Sequence, residues 1–282
     1  MEVVAPPAPI YKNPILWVAL DPFFGKSNKN QMLLLQSAGK PLTLKDSNGL
    51  VHTATDVKIV WKKQVLANPF KYSRQVSGPF ASFESAERFA LELRQLGLKA
   101  MVARPKEWEV WLPKEAKPPQ RDVFVDQEGF IESVVHPFLN LPNGLQRLQG
   151  PLVLEAPEGL RWNGGVYTGP FRLQPDAYGT WTLIERVPLE RYLEGVVPHE
   201  IGAKSPFAAM ASQAVLARTW ALANSHRFAL DGYHLCSDTQ CQVYRDPRAA
   251  SELVKNAIAS TDGKFLAWKG KPIHAVYHAS NG

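Results

Sequence analysis

The sequence has no apolar run approaching the ~18 residues that a membrane-crossing helix needs, so no membrane span is expected in it. It also has no run of basic residues. Its 32 lysines and arginines and 26 acids leave a net charge of +6, but the basic residues are scattered. That argues against nucleic acid as a partner and suits an acidic polymer, a membrane surface or a cell-wall matrix. Only two cysteines are present, too few for a disulfide-built scaffold. There is no repeat of long period and no low-complexity tract. The opening MEVVAPPAPIYKNP lacks a basic stretch followed by an apolar one, so it is not a secretory signal. It reads as a Pro-rich linker over residues 1–14, and a targeting segment is expected to be missing from this chain.

What is there suffices for two or three domains, at ~100–200 residues each in 282. The expected class is α+β: a β-rich platform, a β-α-β insert and a mainly helical core. Residues 15–66 hold ILWVAL, MLLLQS, PLTLKD and VKIVWK, short apolar strands with a hairpin turn at Ser47-Asn48-Gly49. Residues 67–113 change character. YSRQVSGPF is a strand, and Ser82 is placed to cap a helix with Glu84 and Glu87 in its first turn. Phe83, Ala86, Phe89, Ala90, Leu93 and Leu96 recur at helical spacing, Gly97 stops the helix, and LKAMVAR and EWEVWL follow as strands. Residues 114–121 are a charged, Pro-rich linker. Residues 122–186 return to short strands punctuated by glycine.

From 187 to 282 helices dominate. Glu190 and Glu194, four apart, read as a solvated helix face. Ser205 is expected to cap and Pro206 to open a helix with Phe207, Met210, Ala211, Ala214, Ala221 and Leu222 as its apolar stripe. A second helix is expected from Asp246-Pro247, burying Ala250, Leu253, Ala257 and Ile258 and stopping at Gly263. KFLAW and PIHAVYH then form a hairpin. The chain stops directly after this apolar strand without a cap, and truncation at that end is the expectation.

One acid stands apart from its neighbours. Glu200 follows Val196-Val197-Pro198-His199 and precedes Ile201-Gly202, an apolar, turn-rich setting just before a long helix. Around it, five blocks occur in a fixed order. They are Pro188–Leu193, Pro198-His199-Glu200-Ile201, SQAVLARTWA from Ser212, CSDTQCQVY from Cys236, and Ala257–Leu266 leading to Pro272–Gly282. These resemble the SpoIID/LytB family, the stage II sporulation protein D and amidase-enhancer group, over about a third of the chain. The resemblance implies a lytic transglycosylase that cuts MurNAc–GlcNAc bonds of peptidoglycan strands, preferably strands stripped of their peptides, in an extracytoplasmic setting. The family's catalytic glutamate falls on Glu200. One carboxyl is enough for that chemistry, because the nucleophile is the substrate's own C6 hydroxyl; ordinary glycosidases need two. A second implication is a non-catalytic role, in which the same fold binds glycan and enhances an N-acetylmuramoyl amidase.

Around Glu200 the sequence offers Gln213, Arg218 and Thr219 on the Ala-rich helix, able to bind sugar hydroxyls or to fix the Glu200 segment. Thr239, Gln242 and Tyr244 follow in a loop, with Tyr244 able to stack on a sugar face. His278, Ser280 and Asn281 fall in the family's terminal cleft motif, with Asn281 in place of its second serine. The chemistry requires no cofactor. Cys236 and Cys241, five apart, stay open between a disulfide, two free thiols and a structural zinc with His234. Zinc needs a fourth ligand, for which His226 and His278 are the local choices, since Gln240 stands where relatives place a loop histidine. The stretch from Lys71 to Leu112, with Val76-Ser77-Gly78-Pro79-Phe80-Ala81-Ser82, Ala86 and Leu93, also resembles half of a SPOR repeat. That resemblance implies binding of stripped glycan.

Overall fold

The computed structural model describes residues 3, 5–7, 13–26 and 32–277. The chain is α+β with strand predominating, and two sheets carry it. Strand β1 (Ile15–Phe24) is an apolar run buried on both faces from Leu16 to Leu20, as a central strand must be. It pairs antiparallel with β14 (Trp181–Pro188), Ile15 opposite Pro188. Beyond β14 lie β13 (Phe171–Pro175), β10 (Leu152–Glu155), β3 (Leu42–Lys45) and β4 (Val51–Ala54). On the other side of β1, β15 (Leu235–Cys236) adds in parallel.

The second sheet is built on β5 (Asp56–Phe80), a strand of 25 residues. Sequence signals read it as two strands, VKIVWK and YSRQVSGPF. They are one, and the expected boundary between residues 66 and 67 falls inside it. Pro69 sits where the register shifts between Val65 and Phe70, a place where a missing N–H costs no ladder bond. One edge of β5 takes β2 (Met32–Ser37) and then β7 (Trp108–Pro113), which pairs with β6 (Met101–Ala103). The other edge takes β8 (Val125–Leu141), followed by β9 (Gly144–Arg147). Strands β11 (Leu160–Trp162) and β12 (Gly165–Tyr167) extend the sheet beyond β2.

The expected β-α-β-β unit is present. Helix α1 (Phe83–Gln95) is capped by Ser82, whose hydroxyl accepts from the amide of Ser85 in a reciprocal capping box. Its buried face, Phe83, Ala86, Ala90 and Leu93, joins Trp108, Val110 and Leu112 of β7. The unit does not stand apart: the same cluster contains Trp17, Ala19 and Ile184 of the first sheet and Phe228 and Tyr233 of the C-terminal segment.

Three helices follow β14 without an intervening boundary, since that strand runs through residues 186 and 187: α2 (Leu189–Ile201), α3 (Phe207–Asn224) and α4 (Glu252–Ser260). They pack on the other face of the first sheet, in a cluster that holds Leu16, Val18, Leu183, Val187, Tyr192, Val196, Met210, Ala214, Val254 and Ile258. Two expected caps shift. Ser205 does not cap α3 but donates its hydroxyl to the carbonyl of Ile201, and Phe207 is exposed. Residues Pro247–Ala249 form a separate 3-10 turn, and α4 begins after Ser251, whose hydroxyl accepts from Val254. Leu253 is therefore exposed and Val254 takes its expected place in the core. The small hairpin of β16 (Ala267–Trp268) and β17 (Lys271–Pro272) is as expected.

Candidate active site around Glu200

Glu200 lies in the last turn of α2, not in a free turn. Pro198 suggests a helix stop, because interior proline removes a backbone bond and crowds the preceding turn. Here the helix carries through it, held by the buried side chains of Leu193, Val196 and Val197. Gly195 matters for a separate reason. A Cβ there would strike the carbonyl of Arg245 and come within 2.6 Å of the Tyr244 ring. Only glycine lets the 237–245 loop lie this close, and the Arg245 amide bonds the Gly195 carbonyl at 3.1 Å. That approach brings the amide of Val243 to Glu200, where it donates to Oε1 at 2.9 Å. The half-buried carboxyl faces a cavity of about 200 Å³ lined also by Trp220, Thr239, Cys241, Val243, Val276 and Tyr277. Among these lining residues Glu200 carries the only carboxyl.

Behind the cavity is a buried amide and hydroxyl network. Gln242 donates to the Tyr277 hydroxyl at 2.7 Å and to the carbonyl of Ala217 at 3.3 Å, and accepts from the Tyr192 hydroxyl at 3.2 Å. Burial holds the Tyr277 phenol well above its ordinary value, with the Gln242 donor pulling it down and the Glu200 charge adding to the rise. The phenol is thus neutral at any pH at which the fold would work. Gln213 is buried beside it, and its side chain also pulls the phenol down.

Of the residues expected from sequence, Glu200 and Thr239 line the cavity, while Gln213 and Gln242 stand immediately behind it. Three others are not available to a sugar. Arg218 is fully buried and forks onto Glu190 through Nε and Nη2 at 2.7 and 2.6 Å, with Nη1 bonded to the carbonyl of Lys264 at 2.8 Å. Glu190 is accordingly no solvated face, and Glu194 is ion-paired with Arg191. Thr219 is buried too. It donates to the Val215 carbonyl and accepts from the Leu266 amide, tying the last hairpin to α3. Tyr244 is buried between Tyr167 and Tyr192 and donates to Glu185 at 2.8 Å, so its ring has no face left for a ligand. His278, Ser280 and Asn281 lie outside the described residues. Sequence reasoning missed Trp220 and Tyr277, both apolar-looking members of stretches already marked as core. Their proximity to Glu200 follows from packing alone.

The cysteines are joined as a Cys236–Cys241 disulfide, which closes the loop that carries Thr239. The expected zinc ligands do not form a donor set. The sulfurs are bonded to each other, His234 Nδ1 accepts from the Trp17 amide at 2.9 Å, and its Nε2 faces the carbonyl of Pro7. Among the described residues no group of three metal-ligating side chains occurs.

Residues 177–268 match the family model SpoIID, stage II sporulation protein. This segment belongs to the SpoIID family. It contains β14, α2, α3 and α4 and every residue lining the Glu200 cavity except Val276 and Tyr277. The stage II sporulation protein D of Bacillus amyloliquefaciens is 35% identical over 116 residues, covering 35% of this chain and 33% of that protein. That of Bacillus subtilis is 34% identical over the same length, covering 35% and 34%. An uncharacterised protein of Brachyspira hyodysenteriae is 30% identical over 132 residues, 45% of this chain and 35% of its own. The chain thus spans about a third of the length of the curated relatives it matches. The SpoIID segment supplies the glutamate, Trp220 and the disulfide loop, whereas Tyr277 and the β-rich remainder lie largely outside the match.

Proposed function

We propose that this SpoIID chain cleaves peptidoglycan glycan strands as a lytic transglycosylase, with Glu200 as its single acid and base. The observation that carries the reading is one half-buried carboxyl in a cavity whose lining holds no second one. A hydrolase of the usual kind needs a partner carboxylate for water or for a covalent intermediate. An intramolecular transfer does not. Glu200 gives its proton to the bridging oxygen as the bond from MurNAc C1 to that oxygen breaks. The C6 hydroxyl of the same MurNAc forms the new bond to C1 and returns its proton to the carboxylate. No water is consumed, and the product ends in 1,6-anhydro-MurNAc. Tyr277 offers a ring for sugar carbons, Trp220 lines the wall with little of its ring exposed, and the Val243 amide fixes the carboxyl. The Cys236–Cys241 bond fits an oxidising, extracytoplasmic compartment, where the substrate is.

The test is digestion of peptide-stripped strands with the wild type and with Glu200→Gln, read by mass spectrometry. Anhydro products from the wild type alone are expected. If both proteins bind strands, neither cuts, and both stimulate an N-acetylmuramoyl amidase, the enzyme reading fails and the enhancer role replaces it.

A further inference from the structure

The β-rich remainder holds a cleft that shares no residue with the Glu200 cavity. It has a volume of about 640 Å³, in the range of small-ligand sites, and lies between one face of the β5–β8 ribbon and two turns of the first sheet. Lys26, Lys63 and Arg74 line it, along with the rings of Tyr72, Trp111 and Tyr178. No acid is among the lining residues. The rings are held in place. The Arg74 guanidinium lies 3.4 Å from the Trp111 ring centre and donates to Gln127 at 2.6 Å. Trp111 Nε1 donates to Glu109, and the Tyr178 hydroxyl bridges the Arg104 amide and Asp231. The two walls are also tied to each other. Trp181 Nε1 donates to the Val135 carbonyl of the ribbon at 3.1 Å. Gly25, with φ +83°, lies so close that a Cβ would come within 2.5 Å of Val135 Cγ1.

Two acids, Asp176 and Asp231, sit under the floor. Burial raises both, and the charge of Asp176 helps to push Asp231 to about 8, so Asp231 itself adds little negative charge at neutral pH. Three cations beside fixed aromatic faces, with no carboxylate in the lining itself and Glu109 behind Trp111 acting on Arg74 alone of the three, suit a ring-shaped ligand bearing an anionic group.

We propose that this cleft is a second binding site, for a saccharide that carries a carboxylate. The sugar ring lies on the aromatic wall, and the carboxylate sits among Lys26, Lys63 and Arg74. The anion and the ring follow from the cleft; the choice of a saccharide rests on the glycan reading above. The probes are N-acetylmuramic acid and N-acetylglucosamine, which share the amino-sugar ring and differ in the lactyl carboxylate. They are titrated into the full chain carrying Glu200→Gln and followed by NMR or calorimetry. The acid is expected to bind at least ~10-fold tighter than the neutral sugar. The exposed-residue variant Lys26→Gln/Lys63→Gln is expected to lose most of that difference while keeping its melting temperature. Equal binding of the two sugars overturns the proposal. So does binding that ignores the lysines, or full displacement by equimolar inorganic phosphate, which would make the cleft an anion hole only. Cleavage is not read in this experiment. A chain that binds the acid here but never cuts strands refutes the role of Glu200 and leaves this site standing.

Discussion

The chain buries charged groups in two regions and partners them differently. Around α2 and α3 the partners are complete. Arg218 is bidentate on Glu190, and Glu185 accepts from the amides of Thr168 and Gly169 and from the Tyr244 hydroxyl. Beneath the ribbon cleft they are different. Asp231 accepts from the Tyr178 hydroxyl at 3.2 Å, has the Ala177 amide as its other donor, and has a second buried acid, Asp176, near it. The first arrangement fixes helices against each other. The second makes an acid that is neutral when buried. A buried charge is tolerable when it is paired or when it has given up its charge, and this molecule uses both solutions.

The sharpest way to break this contrast is Arg218→Met. It leaves Glu190 without its cation and should cost ~3–5 kcal/mol in denaturant unfolding. The double variant Arg218→Met/Glu190→Leu should recover most of that loss, and failure to recover would mean the pair is more than a compensated charge. Asp231 gives an effect that is read as a slope against pH and not as a loss at one pH. Its folded value of about 8 exceeds the ordinary 3.8, so its stabilising contribution is complete below about pH 4. It is lost as pH rises to about 8, at ~1.4 kcal/mol per pH unit. Asp231→Asn should flatten that slope in melting curves recorded from pH 4 to 8. Tyr244→Phe removes one of three donors to Glu185 and should cost ~1–3 kcal/mol. A value near zero would show that the two backbone amides satisfy that carboxyl unaided. The exposed pair Lys71–Glu128, at 3.1 Å, sets the baseline, and Lys71→Ala should shift stability by less than ~1 kcal/mol.

These pairs also mark where the sequence could be read. Ser82 and its helix were legible because a capping box and a 3.6-residue period are local signals. So were most of the strands, apart from the join that makes β5 one element through Pro69 and the 17-residue β8, which read as short strands. Glu200 was legible as an odd acid, but its helix was not, because packing of Val196 and Val197 overrides the stop that Pro198 signals. Of the two roles open to Arg218 and Thr219, the ligand-facing one is not taken, and Tyr244 does not face a ligand either. A polar residue in an Ala-rich helix or an aromatic in a loop looks the same whether it meets a sugar or a buried partner. The partners here, Glu190, Leu266 and Glu185, lie 28 to 59 residues away along the chain. The ribbon cleft had no sequence signature, since its lining residues come from seven separate stretches.

The pairing of β1 with β14 has a consequence for how this protein is made. Ile15 lies opposite Pro188, so this inner strand of the first sheet is synthesised about 170 residues before its partner exists. At ~5–20 residues per second on the ribosome, the apolar stretch Leu16–Leu20 waits roughly ten to thirty seconds with its ladder unfilled. Until β14 emerges, that stretch is an open template for other chains. Safe production of this fold therefore depends on what shields those five residues during translation.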